Sequence, residues 1–156
     1  MNLLTQNSDT TLHELESKEV VVQKPISTGV NPGGGSRVES QLVFVYGSLK
    51  HGYKLHYLLE SQLSLGNAVT QPLYRLFDLG LYPGLIEWPE GLTIHGEIYH
   101  VDANCLALLD EVEGVAERLY VRRRISLQTT FDGREIHAWF WLGSVSGLRD
   151  CGTAWP

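Results

Sequence analysis

A chain of 156 residues with a formal net charge of −6 has the length of one domain and lacks the basic excess that a nucleic-acid partner demands. Apolar residues make up 43% and charged residues 19%, an ordinary globular composition that supports a sizeable core. Two cysteines are too few for a disulfide framework, Met1 to Ser8 form no signal region, and no apolar run approaches the roughly 18 residues that span a bilayer; the reading is a soluble, cytoplasmic protein without a membrane partner.

Residues 1–40 are polar and end in Asn31-Pro32-Gly33-Gly34-Gly35-Ser36, the composition of a disordered tail or linker. A short apolar patch, Val20-Val21-Val22, interrupts them. The folded domain is expected over 41–142. It opens on Leu42-Val43-Phe44-Val45-Tyr46, a continuous apolar run that predicts a strand buried on both faces. The polar loop from Gly47 to Gly52 follows. Residues 53–60 then place Leu55, Leu58 and Leu59 on one helical stripe. Strands are expected around 68–78 and 84–88, joined near Gly80-Leu81-Tyr82-Pro83-Gly84. Over 92–99, Leu92, Ile94, Gly96 and Ile98 alternate with Thr93, His95, Glu97 and Tyr99, a strand pattern.

Asp102 suits the N-cap of a helix over 103–113, and Gly114 suits the residue that ends it. Two more strands, about 119–130 and 134–142, are joined by the hairpin signal Asp132-Gly133. Arg122-Arg123-Arg124 falls in the first of them, where neighbours point to opposite faces, so it is no single basic patch. Residues 143–156 are rich in Gly and Ser and are expected to be loose. The order β-loop-α-β-β-β-α-β-β predicts an α+β fold with a curved or closed mixed sheet and helices alongside.

On the helix 103–113, Cys105, Leu108, Leu109 and Val112 make the apolar centre, with Leu106 at its margin. Asp110 and Glu111 fall on the side expected to face water. Glu113 falls at the rim of the buried stripe and in the last turn, where the helix dipole is negative. Both features disfavour a charged carboxylate and raise its pKa, which suits general acid/base work. A Glu that reaches solvent from a frayed helix end is the alternative. The turn Tyr46-Gly47-Ser48-Leu49, at the carboxyl end of a buried strand, exposes backbone N–H groups that can hold a carboxylate or an oxyanion. A plain tight turn is the alternative there.

Tyr46-Gly47-Ser48-Leu49 resembles the opening signature of the γ-glutamylcyclotransferase-like family. Tyr82-Pro83-Gly84, Gly96-Glu97-Ile98-Tyr99, Leu109-Asp110-Glu111-Val112-Glu113-Gly114 and Tyr120-Val121-Arg122 resemble its later motifs in the family's order. The resemblance implies a small mixed β-barrel with flanking helices and closure of a γ-glutamyl group to 5-oxoproline without a cofactor. It implies Glu113 as the catalytic acid/base. It places Tyr46, Gly47, Ser48 and Leu49 around the α-amino and α-carboxylate groups of a small γ-glutamyl substrate, with Tyr120, Pro83 and Gly84 lining the same site. Leu55 stands where family members often have Asn. Trp139-Phe140-Trp141 stands where many have a Tyr.

Other chemistries have weaker support. Cys105 with His95 or His100 would make a thiol enzyme, but Cys105 lies on the apolar stripe. His13, His51, His56, His95, His100 and His137 show no metal-ligand spacing. A noncatalytic module that binds γ-glutamyl or amino-acid ligands is the alternative from another class. Trp139, Trp141 and Trp155 read as core rather than as an interaction surface. The leaving amine and the oligomeric state are not legible.

Overall fold

Seven strands and one α-helix make up the fold of residues 40–156, which the computed structural model describes; the expected tail and the Val20–Val22 patch lie outside the described residues. The strands are β1 (Gln41–Val45), β2 (Leu63–Val69), β3 (Tyr74–Asp78), β4 (Pro83–Glu87), β5 (His95–Val101), β6 (Tyr120–Arg124) and β7 (Ile136–Trp141), and the helix is α1 (Ala103–Val112). A five-stranded sheet has the order β2-β5-β1-β7-β6, and β3 and β4 form a second sheet of two. β1 runs antiparallel to β5 and parallel to β7.

The central place of β1 follows from its residues. Leu42, Phe44 and Tyr46 point into one cluster with Leu76 and Leu85 of the small sheet, while Val43 and Val45 point into another with Cys105 and Leu109 of α1. A strand apolar on both faces needs a cover on each, and the two-stranded sheet and the helix supply them.

The implied barrel is not closed. β2 and β6 are free edges of the large sheet, linked beyond their ends by an isolated bridge between Thr70 and Leu127. The strand expected over 68–78 is two strands. The break falls at Pro72, which has no N–H to donate, and the chain turns a corner where Gln71 N–H donates to Ser126 O (2.9 Å). The helix expected over 53–60 shrinks to a 3-10 turn at His56–Leu59, because residues 47–59 are wound by three-residue turns: Lys50 N–H to Gly47 O, Tyr53 to Lys50 O, His56 to Tyr53 O and Leu58 to Leu55 O.

The tail 143–156 carries no helix or strand, yet it is not loose. Arg149 O accepts from Asp78 N–H (2.8 Å), Cys151 N–H donates to Leu76 O (2.7 Å), and Thr153 O accepts from His95 N–H (2.8 Å). Asp150 pairs with Arg75 at 2.9 Å and Arg149 with Asp78 at 2.7 Å. The three arginines of β6 take separate partners, Arg123 on the face opposite to Arg122 and Arg124. Arg122 reaches Asp110, Arg123 lies over the Phe140 ring, and Arg124 reaches Glu135. Asp132 (φ 51°) and Gly133 (φ 70°) form the left-handed corner that joins β6 to β7. Among the described residues no helix is long and apolar enough to cross a membrane.

Asp102 caps α1 by accepting from Cys105 N–H at 2.8 Å, and it also accepts from the Gln62 side chain at 3.1 Å. Asp102→Ala is expected to cost about 1–2 kcal/mol and to lower the thermal midpoint by several degrees, read by circular dichroism.

Candidate functional site

The last turn of α1 is locked by its ending. Glu113 N–H donates to Leu109 O (2.9 Å), Gly114 N–H to Glu111 O (3.0 Å) and Val115 N–H to Asp110 O (3.0 Å). Gly114 takes φ 65°, the left-handed geometry that closes a helix. Glu113, the residue at the C-cap, is therefore fixed in place rather than frayed. It keeps some residue surface, but its carboxyl group is surrounded by protein. Burial, and secondarily the charge of Asp110, push its pKa up to about 8.

Asp110 corrects the reading of this helix. Its side chain is only 26% exposed. It turns onto the sheet and accepts from Arg122 Nε (2.8 Å), Arg122 Nη2 (3.1 Å) and Trp139 Nε1 (2.9 Å). Glu111 alone of the three acids is exposed.

The Glu113 carboxyl borders a narrow cavity of about 20 Å³, room for about one water molecule. Its walls are Tyr46 to Leu49, Tyr82, Pro83, Tyr120 and Trp139, over a floor of Phe44 and Val45. The expected site residues Tyr46, Gly47, Ser48, Leu49, Pro83, Tyr120 and Glu113 thus meet in one place. Gly84 does not; it is buried behind Pro83, where an added Cβ would stand 3.1 Å from Trp141. Tyr82 and Trp139 line the cavity without having been singled out as site residues. The Tyr82-Pro83-Gly84 motif held the signal for Tyr82, whereas Trp139 reads as core in sequence and is indeed 1% exposed.

The two tyrosines point inward. Tyr46 O–H donates to Trp139 O, and Tyr120 O–H donates to Pro83 O at 2.8 Å. Burial raises both pKa values. Tyr120 and Glu113 raise that of Tyr46 further, and Glu113 and Tyr82 raise that of Tyr120. The cavity therefore disfavours negative charge on its own groups and holds a proton readily.

Gly47, Ser48 and Leu49 line the same cavity as Glu113. The turn is held by hydrogen bonds. Gly47 O accepts from Lys50 N–H, Ser48 O from Leu55 N–H (2.9 Å), and the Glu97 carboxylate accepts from His51 N–H (2.9 and 3.2 Å) and Tyr99 O–H (2.9 Å). Leu55 serves this turn through its backbone N–H, which any residue except proline supplies. Gly47 is needed because Pro83 lies against it: an added Cβ would stand 2.4 Å from Pro83 Cγ.

The competing chemistries find no comparable arrangement. The Cys105 thiol donates to Leu58 O at 3.6 Å, and burial and Asp102 push its pKa up to about 11, which suits a packing residue rather than a nucleophile. Among the described residues no group of three or more His, Cys, Asp or Glu could hold a metal ion.

Comparison with known proteins shows the family. A family model described as gamma-glutamyl cyclotransferase, AIG2-like, matches residues 43–152. A Vibrio cholerae protein provisionally named a gamma-glutamylcyclotransferase is 44% identical over 112 residues, 71% of this chain and 92% of its own. The solution structure of ytfP from Escherichia coli is similar with a TM-score of 0.57 and 31% identity, covering 72% of this chain and 93% of that one. An AIG2-like protein from Mus musculus shares the fold with a TM-score of 0.65 at 23% identity, covering 75% of this chain and 88% of that one. The chain belongs to the gamma-glutamyl cyclotransferase, AIG2-like family.

Proposed function

We propose that this protein closes a γ-glutamyl group into 5-oxoproline and releases an amine or amino acid, with Glu113 as the acid/base. The observation that carries the reading is the Glu113 carboxyl, surrounded by protein with its pKa raised to about 8, on one cavity with the Gly47–Leu49 turn. A carboxylate of ordinary acidity is too weak a base to take a proton from an α-ammonium group. One whose pKa is raised toward that of the ammonium takes it far more readily.

The proposed sequence is balanced without a cofactor. The substrate ammonium gives one proton to the Glu113 carboxylate, and the freed amine attacks its own γ-carbonyl carbon. The ring C–N bond forms and the carbonyl oxygen takes up negative charge. Glu113 returns its proton to the leaving nitrogen and takes the surplus proton from the ring nitrogen. The carbonyl reforms, the original C–N bond breaks, and the departing amine takes that proton. Amides of the 47–49 turn hold the substrate α-carboxylate or the developing oxyanion. Holding the chain folded back supplies much of the rate, since intramolecular geometry is worth roughly 7–11 kcal/mol.

The cavity is smaller than a γ-glutamyl unit, so substrate entry parts its walls. The wall that moves in this reading is Tyr82–Pro83, at the start of β4, held across the cavity by the Tyr120 hydroxyl on Pro83 O. The substrate class comprises γ-glutamyl amides, among them glutathione, γ-glutamyl amino acids and γ-glutamyl-lysine, met in the cytoplasm. The test is to incubate the full chain with this panel and quantify 5-oxoproline by mass spectrometry. Product from at least one member is the expected result. Saturable binding without product overturns the catalytic reading and leaves a binding module.

A further inference from the structure

Apolar packing alone leaves the position of α1 under-determined. Cys105 and Leu109 press the helix onto the sheet, but such contacts are non-directional and let a helix slide or roll by fractions of an ångström. Asp110 supplies the missing direction. Its two oxygens take both N–H vectors of the Arg122 fork, at 2.8 and 3.1 Å, and the Trp139 indole N–H at 2.9 Å. A forked ion pair with a third donor specifies rotation as well as distance.

The anchors of this clamp are themselves built into the site. Arg122 and Trp139 stand opposite each other on β6 and β7. Trp139 lines the cavity and its carbonyl accepts from Tyr46; Tyr120, two residues before Arg122 on the same strand face, lines it too. Glu113 follows Asp110 by three residues, just under one helical turn and about 4.5 Å of rise. The clamp therefore joins the wall that carries Glu113 to the walls that carry both tyrosines.

We propose that Asp110 is a positioning residue for the reaction: clamped by Arg122 and Trp139, it fixes the last turn of α1 on the sheet and so fixes where the Glu113 carboxyl stands. This rests on the cyclisation reading above. Asp110 touches no substrate and acts through Glu113. Its charge also bears on that group. The titratable groups facing Glu113 are Asp110 on its own helix, Tyr46 after β1, Tyr120 on β6 and Tyr82 before β4. Of these, Asp110 is the one whose charge raises Glu113.

Asp110→Asn keeps the shape and one acceptor oxygen but loses the fork and the charge. Arg122→Lys keeps the charge and loses the fork. Both variants, as full chains, are assayed for 5-oxoproline release. The Glu113 carboxyl carbon is titrated by ¹³C NMR, its signal assigned by its absence in Glu113→Gln. Both variants are expected to lose at least tenfold in kcat with KM within threefold, at temperatures where circular dichroism shows the wild-type fold. The Glu113 midpoint is expected to fall in Asp110→Asn. If the wild type is active and both variants match it in kcat, the positioning role is wrong while the cyclisation reading stands. If the wild type yields no product from any γ-glutamyl substrate, the reading fails instead. An unmoved Glu113 midpoint in Asp110→Asn then removes the Asp110 role as well.

Discussion

Glu113→Gln is expected to cut 5-oxoproline release by about 10²–10⁴-fold, the range for removing a general acid/base, while the protein remains folded. The amide fills the same volume but can neither take nor return a proton. In the wild type, kcat/KM is expected to rise with pH through about 8, where the free enzyme's Glu113 ionises. Stability should move the opposite way. Below pH 4.5, the ordinary value for this group, the carboxyl is protonated in both the folded and the unfolded chain. Between there and about 8 the unfolded chain ionises while the native state keeps its proton, so stability falls as pH rises, and the loss is complete above 8. An upper figure for that loss is on the order of 5 kcal/mol. Glutamine has no such titration. Above pH 8 the variant is expected to melt at a higher temperature than the wild type, and near pH 4 at a similar one. A variant that keeps wild-type turnover removes Glu113 from the chemistry. One whose melting temperature follows the wild type's across this pH range shows that the carboxyl is not enclosed.

That opposition explains why such a residue signals a site. A carboxyl held protonated near neutrality lowers stability as pH rises, and a neutral side chain would pack there without that cost. Tyr46 and Tyr120 repeat the pattern, each disfavoured as an anion by burial and by its neighbours. Three acidic groups around one small cavity make a proton-holding environment that no single one of them would provide.

Much of this was legible in the sequence because it is local. The apolar run Leu42–Val45, the Asp102 cap, the Asp132-Gly133 corner and the rim position of Glu113 each depend on residues within a turn or a strand of one another. What escaped depends on distant partners. Asp110 looks solvent-facing by helix angle, yet Arg122 and Trp139 of two strands claim it. The tail looks loose by composition, yet Arg149 and Asp150 find Asp78 and Arg75 on β3. β2 was foreseen only at its end, since Ser64, Gly66 and Asn67 break the apolar alternation around a bulge between Ser64 and Gly66. Gly84 was assigned to the site through the resemblance of the Tyr82-Pro83-Gly84 motif, but in a strand adjacent residues point to opposite faces.

Gly47→Ala is the substitution expected to damage the site most without removing a reacting group. The new Cβ would stand 2.4 Å from Pro83 Cγ and 2.8 Å from Pro83 Cδ. A proline ring is not a flexible side-chain end, so the clash must be relieved by moving backbone. Pro83 is held by pairing with Asp78 on β3 and by Tyr120 O–H on its carbonyl. The turn is held by Lys50 N–H on Gly47 O and by Glu97 on His51 N–H. Either the 47–49 turn or the Tyr82–Pro83 wall must give way, and both border the cavity. The expected result is a fall of at least tenfold in kcat/KM, chiefly through KM, because the amides proposed to hold the substrate are displaced from it. A stability loss of about 1–3 kcal/mol accompanies it, as for overpacking elsewhere. Gly52→Ala is the control. Its Cβ meets nothing within 4 Å, but its φ of 85° strains any L residue, so it should cost about 1 kcal/mol and leave kcat and KM unchanged. Equal kinetics for the two variants would show that the close approach of Gly47 to Pro83 does not shape the substrate site.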